Sequence, residues 1–284
     1  MRKLFILGMA FVFSVAMLLT ACKKDDPKPD NGGNNNNQET PGGGEVTPNQ
    51  EYPETAVVLP QAVTDIDGNT YDAVQIGNQV WMAENLRTTR YADGTMIPLD
   101  STYSLIEPYR YAPGLNQSNE ENMTNVARYG YLYNWPAVMH GASSSDANPS
   151  GIQGICPTGW HVPSDAEWTQ LTDYVSSQSQ YVCGDYNTSI AKALASTTGW
   201  SSSSYPCNVG YNPSTNNATG FSALPAGRYS DFYYYFGDFA YFWSATEHDD
   251  VYAHHTLLSY YSSYVSFHSV YYKYCGFSVR CVRD

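Results

Sequence analysis

Between Arg228 and Tyr274 the chain carries twelve tyrosines, several of them consecutive: Tyr233-Tyr234-Tyr235, Tyr260-Tyr261 and Tyr271-Tyr272. Aromatic residues favour strands, where flat rings pack across a pleated surface. Successive side chains of a strand point to opposite faces, so neighbouring tyrosines cannot all turn inward. The segment therefore predicts antiparallel strands with part of their aromatic surface wet or under loops. The alternation sets them at about 228–235, 240–246, 252–260, 263–270 and 276–283. Exposed tyrosine offers an apolar face and a hydroxyl, which suits stacking on sugar rings or docking a protein. A plain aromatic coat on a β-rich surface is the competing reading.

Charge narrows the partners. Only 14% of the 284 residues are charged, and 27 acidic residues face 14 basic ones, for a formal net charge of −13. Such a chain is repelled by a phosphate backbone, which argues against nucleic acid. Few charges with much Tyr, Ser and Asn suit an extracytoplasmic protein.

The N-terminus agrees. Arg2 and Lys3 precede an almost wholly apolar run from Leu4 to Leu19, followed by Thr20-Ala21-Cys22. The pattern resembles a bacterial lipoprotein lipobox, which implies cleavage of residues 1–21 and lipid on Cys22. The alternative is a transmembrane anchor, since about 18 apolar residues can just span a bilayer. Lys23-Lys24-Asp25-Asp26 is similar to the signal that sends Bacteroidetes lipoproteins to the outer face of the outer membrane. A periplasmic-facing anchor is the alternative address. From Lys23 to Thr55 the apolar residues are Val46 and Tyr52. Residues 22–55 are therefore expected to be a disordered tether, with an end-to-end distance of about 30 Å. Residues 56–284 then form a single domain.

That domain opens with a hairpin signal, Ala62–Ile66 and Thr70–Ile76 around Asp67-Gly68-Asn69. Gly77-Asn78 makes a second turn into Gln79–Met82. Tyr91 to Gly141 reads as irregular, with Tyr129–Trp135 as its buried segment. Ser164-Asp165-Ala166-Glu167 is a capping box, and Trp168, Leu171 and Val175 follow at helical spacing. A shorter helix is expected over Ser189–Ser196, with Ile190, Ala193 and Leu194 inward.

Several segments carry a resemblance. They include Gln75-Ile76-Gly77-Asn78-Gln79-Val80-Trp81-Met82-Ala83-Glu84-Asn85-Leu86, Gly130-Tyr131-Leu132-Tyr133-Asn134-Trp135 and Cys156-Pro157-Thr158-Gly159-Trp160-His161. Gly220-Phe221-Ser222-Ala223-Leu224-Pro225-Ala226-Gly227, Phe242-Trp243-Ser244-Ala245-Thr246 and Gly276-Phe277-Ser278-Val279-Arg280-Cys281-Val282 follow in order. Together they resemble the Fibrobacter succinogenes major paralogous domain. That family is more distantly similar to the C-type-lectin-like and formylglycine-generating-enzyme folds. The resemblance implies an α+β, C-type-lectin-like architecture: two helices with antiparallel sheets, and N- and C-terminal strands adjacent.

Beyond Cys22 there are five cysteines, an odd number for an oxidising compartment. The lectin-like resemblance implies a Cys156–Cys281 disulfide. Cys183 and Cys207 flank the second helix and can close a local loop of about 25 residues. Cys275 is left as a buried free thiol. The alternative is a copper-binding pair with Cys281, as in formylglycine-generating enzymes, which requires Cys281 to be unbonded.

Other chemistry is sparsely signalled. The chain has no His-Glu-x-x-His, Gly-x-Ser-x-Gly or Cys-x-x-Cys motif and no phosphate-binding glycine loop. His254 and His255 face opposite sides of a strand and cannot share one ion, so no metal is expected there, nor with His248 and His268. Asp65-x-Asp67-Gly68-Asn69 lacks the later glutamate of an EF-hand, and the hairpin turn accounts for it. No cofactor is expected. The expected function is a non-catalytic surface binding domain for a glycan or a protein, held to the membrane by its lipid. Its candidate ligand residues are Tyr233, Tyr234, Tyr235, Asp238, Asp249, Asp250 and Tyr252. A cysteine-dependent oxidase, an unrecognised hydrolase and a passive structural subunit are the alternatives.

Overall fold

The computed structural model describes residues 56–99, 102–114 and 123–284. The lipobox, Cys22 and the tether lie outside the described residues. Among those described, no helix is long and apolar enough to cross a membrane.

Two antiparallel sheets organise an α+β fold rich in strands. The first joins β1 (Val57–Thr64), β2 (Thr70–Ile76) and β3 (Gln79–Met82) as a meander. The tight turn between β1 and β2 is built by Asp65, whose Oδ1 accepts from the amides of Asp67 and Asn69. Gly68 supplies the left-handed backbone that closes it, at φ +84°. The last strand, β12 (Val282–Arg283), pairs with β3 on one side and with β6 (Trp160–His161) on the other. The expected adjacency of terminal strands thus holds in modified form: β12 meets the third strand, because β1 is the outer edge of the meander.

The second sheet runs β9 (Phe239–Glu247), β10 (Tyr252–Ser259) and β11 (Ser266–Tyr272). Two expected strands come out differently. Residues 228–235 fold back as a small hairpin of β7 (Arg228–Tyr229) and β8 (Tyr233–Tyr234). Gly227, at φ +65°, permits it, since a Cβ there would lie 2.3 Å from the Tyr234 carbonyl oxygen. Residues 276–278 bond in turn to Tyr229, Tyr133 and Tyr241. A segment that divides its hydrogen bonds among three elements cannot extend one ladder, so only Val282–Arg283 remains as a strand.

There are four helices among the described residues, not two. α3 (Asp165–Ser177) begins at the anticipated capping box, with the Ser164 hydroxyl accepting from the Glu167 amide. Trp168, Leu171 and Val175 are buried as the spacing requires. The second expected helix shrinks to α4 (Ala191–Leu194), because Ala195 turns extended to bridge Ala223. The additions fall in the stretch read as irregular. There β4 (Arg110–Tyr111) pairs with β5 (Leu132–Tyr133), while α1 (Met123–Tyr129) and α2 (Trp135–Met139) flank β5. Asn134 caps α2 through the Ala137 amide, and proline stands in its first turn.

Both faces of the central strands are buried. Tyr71, Met82, Trp243 and Phe277 face one core, while Val74, Trp81, Phe242 and the α3 residues Trp168 and Leu171 face the other. Trp81 and Trp168 meet with ring centroids 4.6 Å apart. Each such side chain contributes about 1.5–3 kcal/mol by leaving water. Disulfides Cys156–Cys281 and Cys183–Cys207 are both formed, the first as the resemblance implies. Cys275 is free and buried, and its burial pushes the thiol up to about 12.

Candidate functional site

The tyrosines of β8 do not form one uniform surface. Tyr233 packs on Tyr229 at 4.9 Å beside a small core cluster, and burial raises its hydroxyl pKa. It is half-buried and presents less free ring face than Tyr235. Tyr234 lies over the Arg228 guanidinium at 4.6 Å and donates its hydroxyl to Asp231. Tyr235 is 46% exposed and packs edge-on to Phe239, which in turn meets Tyr261, itself 57% exposed. Phe232 beside them is also exposed.

Asp238 lies at this same end of β9, with its amide bonded to the Tyr235 carbonyl. Asp249, Asp250 and Tyr252 lie past the other end. The nine residues of β9 place roughly 25 Å between the two groups at about 3.3 Å per residue. Oδ1 of Asp249 accepts from the amides of Val251 and Tyr252, and these bonds hold its carboxyl below the usual range. That oxygen shapes a turn.

Ring contacts run from Arg228 toward the second group and change face of the sheet between Tyr271 and Tyr272. Arg228 also lies 5.0 Å from the Tyr271 ring, Tyr271 touches Tyr272, and Tyr272 meets Tyr252 at 4.6 Å. Arginine over aromatic faces is held by the ring quadrupole, which keeps the junction ordered. The sequence pattern identifies Tyr234, Tyr235 and Tyr252 but misses Arg228, Phe239, Tyr261 and Tyr272. Pairing of Tyr252 with Tyr272 across β10 and β11 is the signal that could have found the last.

The histidines separate as strand geometry demands. His255 is buried against Phe277 and Tyr241, and burial, with the neighbouring His254, lowers its pKa to about 4. His254 points to the opposite face. There it lies with His268 and Asp165, their ligating atoms within 4.8 Å of one another. His254 packs edge-on to His248 and His268 on Phe267, and α3 adds to this pair a carboxylate that is remote in sequence.

The oxidase alternative required Cys281 as a thiolate, and Cys281 is bonded to Cys156. In the Asp65 turn, Oδ2 accepts from Asn69 and Tyr71 while Oδ1 serves the two amides, so its oxygens are engaged within the protein.

The model of the Fibrobacter succinogenes major domain matches residues 74–283. The chain belongs to that family. No curated protein and no solved structure matches it. Residues carrying the family pattern are mostly interior: Trp81, Tyr133, Trp160, Phe221, Trp243, Phe277 and Arg280 are all buried. These buried residues of the Fibrobacter succinogenes major domain pack its interior in this chain, and the aromatic band and the histidine cluster lie within the same matched span.

Proposed function

We propose that this is a surface-anchored lipoprotein whose lectin-like domain binds an extended glycan or a protein surface without transforming it. The carrying observation is the partly exposed aromatic band from Tyr261 through Phe239 and Tyr235 to Arg228, whose guanidinium also lies over Tyr234 and Tyr271. Flat rings supply contact area at low entropic cost, and Asp238 adds an acceptor beside them. Several neighbouring rings offer more face than one sugar ring covers, so an oligosaccharide chain or a protein partner is the fitting ligand class. The joining of β12 to the N-terminal meander and the Cys156–Cys281 link support the lectin-like comparison. The lipobox at Cys22 and the polar stretch after it support attachment at the outer membrane, with the domain held away from the lipid. Loss of Arg2 and Lys3 on cleavage would leave the mature chain two units more acidic.

The test is a glycan array run with a parallel screen of surface proteins, both probed with the full chain. Saturable binding to an oligosaccharide or to one protein is the expected result. Silence in both screens would favour the passive structural subunit.

A further inference from the structure

We infer that Asp165, His254 and His268 form a binding site for a divalent transition-metal ion of the Zn2+ class. Three elements meet there. Asp165 is the first residue of α3, His254 lies on β10, and His268 lies on the neighbouring strand β11. Pairing of His254 with Val270 puts residue 268 two positions along the same strand. A register shift follows between His255 and Leu257, and His268 takes φ +57°, a left-handed conformation that side chains other than glycine rarely adopt. That unusual backbone accompanies a ring whose Nδ1 contacts Oδ2 of Asp165.

Unfilled valences are the second observation. The Asp165 side chain is 6% exposed, yet its Oδ1 is buried without a hydrogen-bond partner. Nδ1 of His254, 3.8 Å from Asp165 Oδ2, is likewise buried and makes no hydrogen bond. Leaving such groups unpaired costs about 1–3 kcal/mol each in general, so they mark a missing partner. A cation that takes lone pairs from the carboxylate and the imidazole together would be such a partner.

The surroundings prepare the ligands. Thr169 donates its hydroxyl to the Asp165 carbonyl and turns a lone pair toward Nε2 of His268, a long contact of 3.5 Å. An ion bound at Nδ1 would displace the proton that this nitrogen otherwise shares with Asp165 Oδ2, as imidazole ligands must. Two imidazoles and one carboxylate suit Zn2+ and its neighbours, with bonds of about 2 Å, whereas Ca2+ and Mg2+ demand oxygen shells. His268 is 53% exposed, so the cluster opens toward solvent on that side.

The test is calorimetric titration of the untagged full chain with Zn2+, repeated with Ca2+ and on three variants. The expected result is one Zn2+ per chain with a Kd tighter than about 10 µM and no heat from Ca2+. His268→Ala, at a half-exposed position, keeps the fold and should weaken Zn2+ by more than about tenfold. Asp165→Asn should do the same, while His140→Ala, stacked on Tyr91 elsewhere, should leave binding unchanged. Co2+ in place of Zn2+ should give visible d–d absorption that His268→Ala abolishes. Absence of Zn2+ binding, or wild-type affinity in folded His268→Ala, overturns the assignment and leaves an ordinary His–Asp pair.

Discussion

Nε of Arg280 donates to Oδ1 of Asn85 at 2.7 Å, across 195 residues of chain. The same guanidinium donates to the carbonyls of Met82, Phe221 and Ser222, and it stacks over Phe221 at 4.7 Å. Asn85 in turn donates to the Tyr129 carbonyl. One buried cation thus ties the last motif segment to the N-terminal meander and to the loop around Phe221. Asn85→Ala removes a charge-assisted bond and should cost about 1.5–3 kcal/mol in urea unfolding. A loss below about 0.5 kcal/mol would mean that water replaces Asn85 without penalty.

The two disulfides should differ in worth. Cys156–Cys281 closes 125 residues and Cys183–Cys207 closes 24. In the chain-entropy account the longer loop stabilises more, within about 2–5 kcal/mol. Replacing the pair Cys156 and Cys281 by Ala should therefore lower the unfolding midpoint further than replacing Cys183 and Cys207. Equal midpoints would contradict the ranking.

Much of this scaffold is legible in the sequence where the signal is local. Ser164 and Glu167 announce α3 because both halves of the capping box lie within four residues. β9 and β10 follow from their apolar and aromatic runs. By contrast, α2 has five residues, too few for helical periodicity to emerge, and its readable marks are Asn134 and Pro136. The β7–β8 turn is hidden because consecutive tyrosines suit one strand as well as two. The grouping of Asp165 with His268 is invisible for a different reason: 103 residues separate them, and only the packing of α3 on the second sheet brings them together.

Stability should depend on pH through His161. Its Nε2 lies 2.7 Å from Glu167 Oε1 and its Nδ1 2.7 Å from Asp284 Oδ1. Burial by itself would lower the pKa, but the bonds and charges of the two carboxylates outweigh it and raise the value above 6.5. The folded state then holds this proton more tightly than the unfolded chain. Its contribution is fully present below about pH 6.5 and fades as pH rises through the folded pKa. Urea midpoints should fall across that window, and His161→Gln should flatten this component. A wild-type profile that His161→Gln leaves unaltered would refute it.

Attachment is tested at one atom. Cys22→Ser removes the thiol that would carry lipid, and two or three acyl chains give stable anchoring at about 0.8 kcal/mol per buried methylene. The Ser variant should leave the membrane fraction. Retention there with an uncleaved N-terminus would support the transmembrane alternative.

The central claim is that the aromatic band binds a ligand, and it is tested by the affinity of Tyr235→Ala for the glycan or protein that the screens recover. Tyr235 is exposed within the band, so its loss should leave the thermal midpoint nearly unchanged. The account predicts binding weakened by more than about 1 kcal/mol, roughly fivefold in Kd, with a comparable loss in Tyr261→Ala. Undiminished affinity in both folded variants would contradict it.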